Sequence, residues 1–434
     1  MKRILIITYY WPPSAGSGVQ RWLKFSKYLP RHGWQPVIYT PENPDFDLKD
    51  DTLLKDIPPE AEILKRPIWE PYQLLRLFKG KKAKVNTGFV QSTKDNNWKT
   101  SLLSWIRGNL FIPDPRVFWK RPSVRYLTKY LKANPVDAIV TTGPPHSMHL
   151  IGLGLKKKLG IPWIVDIRDP WSKLDFLDNF RVTKGNRAKY ERMEKTVLNQ
   201  CDLVLATSYS MKELLQPFDH QKYVPITNGF DEDDFRNIEK PQPKKFTIFH
   251  AGLLNAPRNP EKLWDVLAEL CQESPTFSSQ LKIKLAGTID PHISGRLQHD
   301  PILKDKLQLL SYLPHEEVIE QYAQSSVLLL LINNTYNSKV NIPGKLFEYL
   351  AVGRPILALG APDDDAVTIV KKSGAGFGVA YDKKDKLKKV VEQLYVENGA
   401  IQPDPGQVAA FSRRRLTKQL VEVLEDRFTA IKSL

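Results

Sequence analysis

The chain has 434 residues, with 64 Lys and Arg against 48 Asp and Glu, a formal charge of +16 and a pI near 9.5. That length exceeds one ordinary hydrophobic core and calls for two domains or more. Hydrophobic residues at 41% and charged residues at 26% exclude a disordered, collagenous or coiled-coil chain.

Cys201 and Cys271 are too few and too isolated to staple a secreted scaffold or hold a zinc, so a reducing, cytoplasmic setting is expected. Met1-Lys2-Arg3 runs into a short apolar stretch, Ile4 to Thr8, far below a signal-peptide core. The longest apolar run, Val327 to Ile332, is about a third of a membrane span. The expectation is a soluble or peripheral protein whose charge awaits nucleic acid, anionic lipid or a phosphorylated ligand.

Ile4-Leu5-Ile6-Ile7-Thr8 reads as a strand buried on both faces. The turn Trp11 to Gly18 follows, then an amphipathic helix with Val19, Trp22, Leu23, Ser26 and Leu29 on one face, and a strand over Pro36 to Thr40. Strands at Asp137–Thr142, Trp163–Ile167 and Asp202–Thr207 alternate with helices near 149–159, 187–200 and from Ser210. Such alternation predicts a parallel sheet flanked by helices, and the stretch 41–135 interrupts it as a largely helical insertion.

A Pro-rich polar stretch, 239–245, reads as a linker. The alternation then restarts with strands at Phe246–Ala251, Leu281–Ala286, Val327–Ile332 and Pro355–Leu359. Helices are expected over 258–273, 315–324, 344–352, 364–372 and 383–397. One long amphipathic helix closes the chain, with Leu416, Leu420, Val423, Leu424 and Phe428 on a face.

The expected architecture is α/β, with two doubly wound Rossmann-like domains over 1–240 and 241–410. A helix over 411–434 packs back on the first. Ligands of such sheets bind at the carboxyl ends of the strands, so facing sheets make a cleft lined by loops from both.

The charge is local. Residues 1–240 carry 39 basic and 26 acidic side chains, residues 241–434 carry 25 and 22, and residues 65–132 alone hold 16 and 3. That segment also contains Trp69, Trp98, Trp105 and Trp119 with Phe78, Phe89, Phe111 and Phe118. Cations interleaved with rings suit a lipid headgroup interface. They also suit single-stranded nucleic acid, and a solvated basic face over a small core is the plain alternative.

Three motifs carry chemistry. Ser14-Ala-Gly16-Ser-Gly18 joins the first strand to its helix, where glycine permits close backbone approach and the helix N-terminus offers N–H groups to phosphate. It matches neither G-x-G-x-x-G nor the P-loop, and a tight turn without ligand is the alternative. In Asn341-Ile-Pro-Gly344-Lys345-Leu-Phe-Glu348-Tyr, a cation and a carboxylate stand one turn apart at a helix start, as a nucleoside diphosphate requires. A capping pair on an ordinary helix explains them equally well. Thr142-Gly-Pro-Pro-His146 and Asp166-Ile-Arg168-Asp169-Pro-Trp171 end two central strands, where polar loops serve ligands. A structural histidine and an Arg168–Asp169 ion pair are the alternatives there.

Pro343-Gly-Lys-Leu-Phe-Glu-Tyr-Leu-Ala-Val-Gly-Arg-Pro-Ile356, with Thr227-Asn-Gly-Phe-Asp-Glu-Asp-Asp-Phe235, resembles the retaining glycosyltransferases of family 4, which have the GT-B fold. Gly16-Ser-Gly18, Phe249-His-Ala-Gly252 with Arg258, Leu285-Ala-Gly287 and Leu310-Ser-Tyr-Leu-Pro-His-Glu-Glu317 agree with it. The resemblance covers nearly the whole chain outside 41–135.

It implies that Gly16 and Gly18 approach the donor diphosphate. Glu348 reaches the donor ribose, Arg258 and Lys345 stabilise the leaving group, and Tyr312 and Leu313 pass the base. Gly252, Asn259, Gly344 and Leu346 complete the implied donor side. His146 matches a family histidine near the donor sugar. Asp169 joins it as a catalytic candidate, and Asp166 and Arg168 are cleft or acceptor residues.

The first acid of the family's E-x7-E motif is replaced by Val340, and the basic residue expected after Gly252 by Leu253. A subgroup with P-G-K-L-F-E-Y shares the first departure.

The reading is a nucleotide-sugar-dependent, retaining hexosyltransferase acting on a glycan or lipid-linked hydroxyl, with neither cofactor nor metal. Domain closure about 236–245 would assemble its site. Its expected place is the cytoplasm, peripheral on the inner membrane face through 65–132, in surface polysaccharide or glycolipid synthesis, with no nucleic-acid partner. The rivals are a nucleotide-sugar epimerase on the same fold and a non-catalytic basic protein, binding membrane or nucleic acid, with a decayed donor site.

Overall fold

The computed structural model describes residues 1–44, 46, 48–71, 98–173, 177, 180–311, 313–397 and 401–432. Two compact units result: Met1–Thr227 together with Leu416–Leu434, and Asn228–Arg415.

In the first unit seven strands run in the order β3-β2-β1-β4-β5-β6-β7. They are β1 (Lys2–Ile7), β2 (Trp34–Pro41), β3 (Glu62–Arg66), β4 (Ala138–Gly143), β5 (Trp163–Ile167), β6 (Leu203–Ala206) and β7 (Tyr223–Pro225), all paired in parallel. Parallel neighbours need crossovers, and helices on both faces explain why Ile4 to Ile7 form an unbroken buried run. The order reverses between β1 and β4, which places the loops after these strands at a topological switch point.

The second unit repeats the plan with six parallel strands in the order β10-β9-β8-β11-β12-β13. These are β8 (Phe246–Ala251), β9 (Leu281–Ala286), β10 (Leu307–Leu310), β11 (Val327–Leu331), β12 (Ile356–Leu359) and β13 (Gly376–Val379). Its switch point lies between β8 and β11. Two doubly wound, Rossmann-like units are thus present, as the alternation predicts.

Two features differ in detail from the sequence reading. Within 41–135, β3 extends the first sheet past β2, and helices occupy Trp98–Leu110 and Lys120–Ala133; residues 72–97 lie outside the described residues. Glu62-Ile-Leu-Lys-Arg66 carries charge because an edge strand tolerates it. Residues 228–245 belong with the second unit. Phe230 forms a β-bridge with Ser412 there, and Arg354 donates to the Pro241 carbonyl.

The terminal helix, Arg413–Lys432, returns to the first unit. Leu416, Leu420, Val421 and Leu424 share a core with Ile4, Trp22 and Ile164. Among the described residues no helix is long and apolar enough to cross a membrane.

Candidate active site

The first unit's switch-point loops are built around one buried carboxylate. Asp166, on β5, pairs with the Arg21 guanidinium at 2.9 Å and accepts from Trp22 Nε1 and the Thr142 hydroxyl, each at 2.7 Å. Burial opposes its charge, yet Arg21 and these two donors outweigh burial and hold the carboxyl below its ordinary range. Asp166 is therefore the counter-ion that fixes the helix Ser17–Tyr28 to β5, and it has no face left for an acceptor.

Arg168 is likewise engaged. Its Nε donates to Gly143 O at 3.1 Å, Nη1 to Gly18 O at 2.9 Å and Nη2 to Pro144 O. Burial lowers its proton affinity while Asp169 and Asp166 support the charge. Asp169 itself is exposed. Arg168 thereby ties the loop holding Gly18 to the loop holding His146. Gly18 is required by space, since a Cβ would stand 3.0 Å from the Tyr10 ring; Gly16 is required by backbone, at φ +93. The helix Ser17–Tyr28, capped by Gly16 and containing Gly18, starts without an acid in its first turn or a side-chain cap.

His146 is 4% exposed and stacks on Trp171, ring centroids 5.0 Å apart and planes within 5°. Neither of its ring nitrogens, nor Trp171 Nε1, has a hydrogen-bond partner among the described residues. Burial, then His149 and Arg168, push its pKa well below 6.5, so the ring is neutral. His149 is pushed down to about 3 by burial and bonds Thr141 Oγ1 at 3.0 Å. Glu194 seats Trp171 by accepting from its backbone N–H at 3.1 Å and from the Ser172 hydroxyl.

The His146 and Trp171 rings border a cavity of about 120 Å³ also walled by Tyr10, Phe180 and Tyr190, with Arg107 and Arg116 in its lining. Asp114, also on the wall, is saturated by Ser147 and the Arg116 N–H. The cavity presents aromatic faces and a neutral hydrogen-bond acceptor. Such a lining suits a hydroxyl-bearing ring.

In the second unit the site forms where β8 ends. Gly252 has φ +128, and a Cβ there would lie 2.5 Å from Lys345 Nζ. That ammonium donates to the Ala251 carbonyl from the first turn of the helix Lys345–Val352. Arg258 converges on the same place, held by Asn333 Oδ1 at 2.6 Å and Leu253 O at 3.3 Å. Burial and then Arg258 push Lys345 down to about 7, with Glu348 opposing. His250 lies beneath, its Nδ1 on Leu329 O at 3.0 Å and its Nε2 without a partner among the described residues; burial and Lys345 keep it neutral. Glu348, one turn after Lys345, accepts from His315 Nε2 at 3.1 Å and bonds the Tyr322 hydroxyl. Gly344 begins this helix exposed and offers no side-chain cap.

The structure thus brings together Gly252, Arg258, Lys345 and Glu348, with Gly344 on the adjoining turn. Other donor-side expectations fall elsewhere. Leu346 is fully buried in the core against Phe249 and Leu350, so its side chain meets no ligand, and its N–H is taken by Pro343 O. Asn259 accepts from Trp264 Nε1 at 3.1 Å and donates to Glu261, a local clasp on the next helix. Leu313 packs on the same core as Leu346, and Tyr312 lies outside the described residues. Val340 is 6% exposed.

Asp364 turns inward to accept from the Ala361 N–H and the Ser338 hydroxyl. The sequence reading gave no site role to Arg21, Trp22, His250 or Glu194. The unbroken burial of β5 and β8, the first interrupted by Asp166 and the second by Thr247 and His250, was the available signal for Asp166 and His250.

Residues 92–234 match the family model described as Glycosyltransferase Family 4, a minority of the chain that includes His146, Asp166, Arg168 and Asp169. No curated protein matches. Among solved structures, sucrose-phosphate synthase from Thermosynechococcus elongatus superposes with a TM-score of 0.63 at 14% identity, over 99% of this chain and 100% of that one. A glycosyltransferase from Rickettsia africae ESF-5 gives 0.61 at 15%, over 98% of each chain. HepE from Anabaena, in complex with UDP-glucose, gives 0.61 at 14%, over 98% of this chain and 100% of that one. At such identities the likeness is one of fold, and the fold is that of the GT-B glycosyltransferases.

Proposed function

We propose that the protein transfers a hexose from a nucleoside-diphosphate sugar to a hydroxyl of a glycan or lipid-linked acceptor, with retention, in surface polysaccharide or glycolipid synthesis on the cytoplasmic side of a membrane. The observation that carries this reading is the convergence of Arg258 and Lys345 beside the uncapped helix start at Gly344. Two cations held this close repel one another, and a diphosphate is the ligand that turns that repulsion into attraction.

The chemistry asked of this cradle is electrostatic. As the bond from anomeric carbon to phosphate breaks, negative charge grows on the diphosphate, and preorganised cations stabilise it without reorganisation. Glu348 accepts from the ribose hydroxyls. His146, neutral and without a hydrogen-bond partner among the described residues, accepts a hydrogen bond from a substrate hydroxyl. No enzyme nucleophile and no metal is assigned, and the leaving phosphate assists deprotonation of the acceptor. Val340 stands in place of the first motif acid, as in the P-G-K-L-F-E-Y subgroup that the sequence resembles, and in this reading the sugar is held by other groups.

The test is a panel of nucleotide-sugars incubated with the protein and candidate acceptors. Release of nucleoside diphosphate with a product whose anomeric configuration equals the donor's is the expected outcome. Interconversion of the free nucleotide-sugar, without release of diphosphate, would identify an epimerase instead.

A further inference from the structure

The helix Lys120–Ala133 contains no acidic residue. It buries Ser123, Val124, Leu127 and Leu131 and exposes Arg121, Arg125, Lys129 and Lys132. Their spacing places all four within about a quarter-turn of one another on the outer face. None of the four makes an ion pair among the described residues.

That pattern works against the helix itself. Like charges four residues apart repel. Lys120 and Arg121 stand at the positive end of the macrodipole with no acid in the first turn. The stripe also continues onto the neighbouring edge strand β3, where Lys65 and Arg66 are exposed and the Arg66 guanidinium sits 4.8 Å over the Tyr126 ring of the helix. Cations kept at a cost to local stability point outward, to an anionic partner.

The same part of the chain exposes large apolar side chains. Trp69 is 48% exposed, Trp105 39%, Leu110 61% and Phe118 47%. Trp69 and Phe118 meet edge to face at 5.0 Å, and Phe111 meets Phe118 at 6.1 Å. Phe118 lies three residues before Arg121, so the apolar group runs into the basic stripe. Nucleic acid would match the cations and stack on the rings, but it has no use for an exposed Leu110. A bilayer uses all three, with cations on lipid phosphate, tryptophan at the headgroup level and leucine at the acyl boundary.

We propose that Arg121, Arg125, Lys129 and Lys132, with Trp105, Leu110, Phe118 and Trp69, form a docking face for an anionic lipid bilayer. The elements bearing the face, the helix Trp98–Leu110 and the turn Pro115–Trp119, also supply Arg107, Pro115 and Arg116 to the wall of the His146 cavity. Docking would therefore bring that cavity near the headgroups, where a lipid-linked hydroxyl resides. The face stands on its own surface chemistry and does not depend on the reaction proposed above.

The test is co-sedimentation of the full chain with vesicles of phosphatidylcholine alone and of phosphatidylcholine containing about a third phosphatidylglycerol. Binding is expected to the anionic vesicles only and to weaken as salt rises. Each basic residue replaced by Gln should weaken it about fivefold, and the combined R121Q/R125Q/K129Q/K132Q variant by a factor on the order of hundreds. W105S/L110S/F118S, judged folded by an unchanged melting temperature, should lose tight binding while keeping a weak salt-sensitive association. Equal binding to both vesicles, or full binding by the four-Gln variant, would overturn the proposal. So would binding of a single-stranded oligonucleotide in place of vesicles, or self-association abolished by the apolar substitutions.

Discussion

At the switch points of its two sheets this protein places basic side chains, and the company they keep is opposite. In the first unit Arg21 faces Asp166 in a fully buried pair, and Arg168 is surrounded by three backbone carbonyls. In the second, Lys345 stands against another cation, Arg258, and burial and that neighbour together push it down to about 7. The first arrangement is complete in itself and holds loops in place. The second sets two cations side by side with Glu348 opposing, and a bound diphosphate, as proposed above, would stabilise both. Polar residues at strand ends are therefore better candidates for a binding site where like charges adjoin than where each faces its counter-ion.

The largest expected effect breaks the first arrangement. Asp166→Ala leaves Arg21 buried without its counter-ion and should cost about 3–5 kcal/mol in urea unfolding. A loss below about 1 kcal/mol would mean that the pair is not what anchors the helix Ser17–Tyr28.

The second prediction concerns the other arrangement. Lys345→Ala or Glu348→Ala should lower turnover by a factor on the order of a hundred to a thousand. The few partners left behind, the Ala251 carbonyl in one case and the His315 ring and Tyr322 hydroxyl in the other, should limit the loss of stability to about 1–2 kcal/mol. A collapse in stability with either variant would assign these residues to the fold rather than to the donor.

A smaller effect follows from the sign of the Lys345 shift. Its folded pKa, about 7, lies below the ordinary 10.5, so between these values the unfolded chain binds the extra proton and stability rises with pH. A bound diphosphate favours the protonated form, so donor binding takes up a proton above pH 7. The donor KM should then climb by up to about tenfold per pH unit above 7. Lys345→Arg, which stays charged, should flatten that climb, and an unchanged profile in this variant would refute the assignment.

Much of the fold is written in local pattern. β1, β4, β5, β8 and β11 are apolar runs because helices cover them on both faces, and each was legible for that reason. The edge strands were not. β3 carries Glu62, Lys65 and Arg66, β7 is only Tyr223–Pro225, and β13 begins with two glycines around Phe377. An edge is paired on one side only and needs no buried run.

At the site, Lys345 and Glu348 share one helix face while Leu346, Phe347 and Leu350 fill the other. The 3.6-residue period therefore already excluded Leu346 from ligand contact. Asp166 lay beyond such reasoning. Its partner Arg21 is 145 residues distant, and no local pattern distinguishes a carboxylate awaiting a substrate from one already satisfied. His146 falls between these cases. Its loop was readable, but its stacking on Trp171 depends on Glu194 from another helix.

The central claim is that the cations at the end of β8 are kept for a diphosphate. Calorimetric titration of the full chain with UDP, GDP, ADP and TDP at pH 7, repeated on Lys345→Ala, tests it directly. The account predicts that at least one nucleoside diphosphate binds the wild type and that the substitution weakens that binding tenfold or more, about 1.4 kcal/mol. Absence of binding by all four, or equal affinity in the variant, would contradict it.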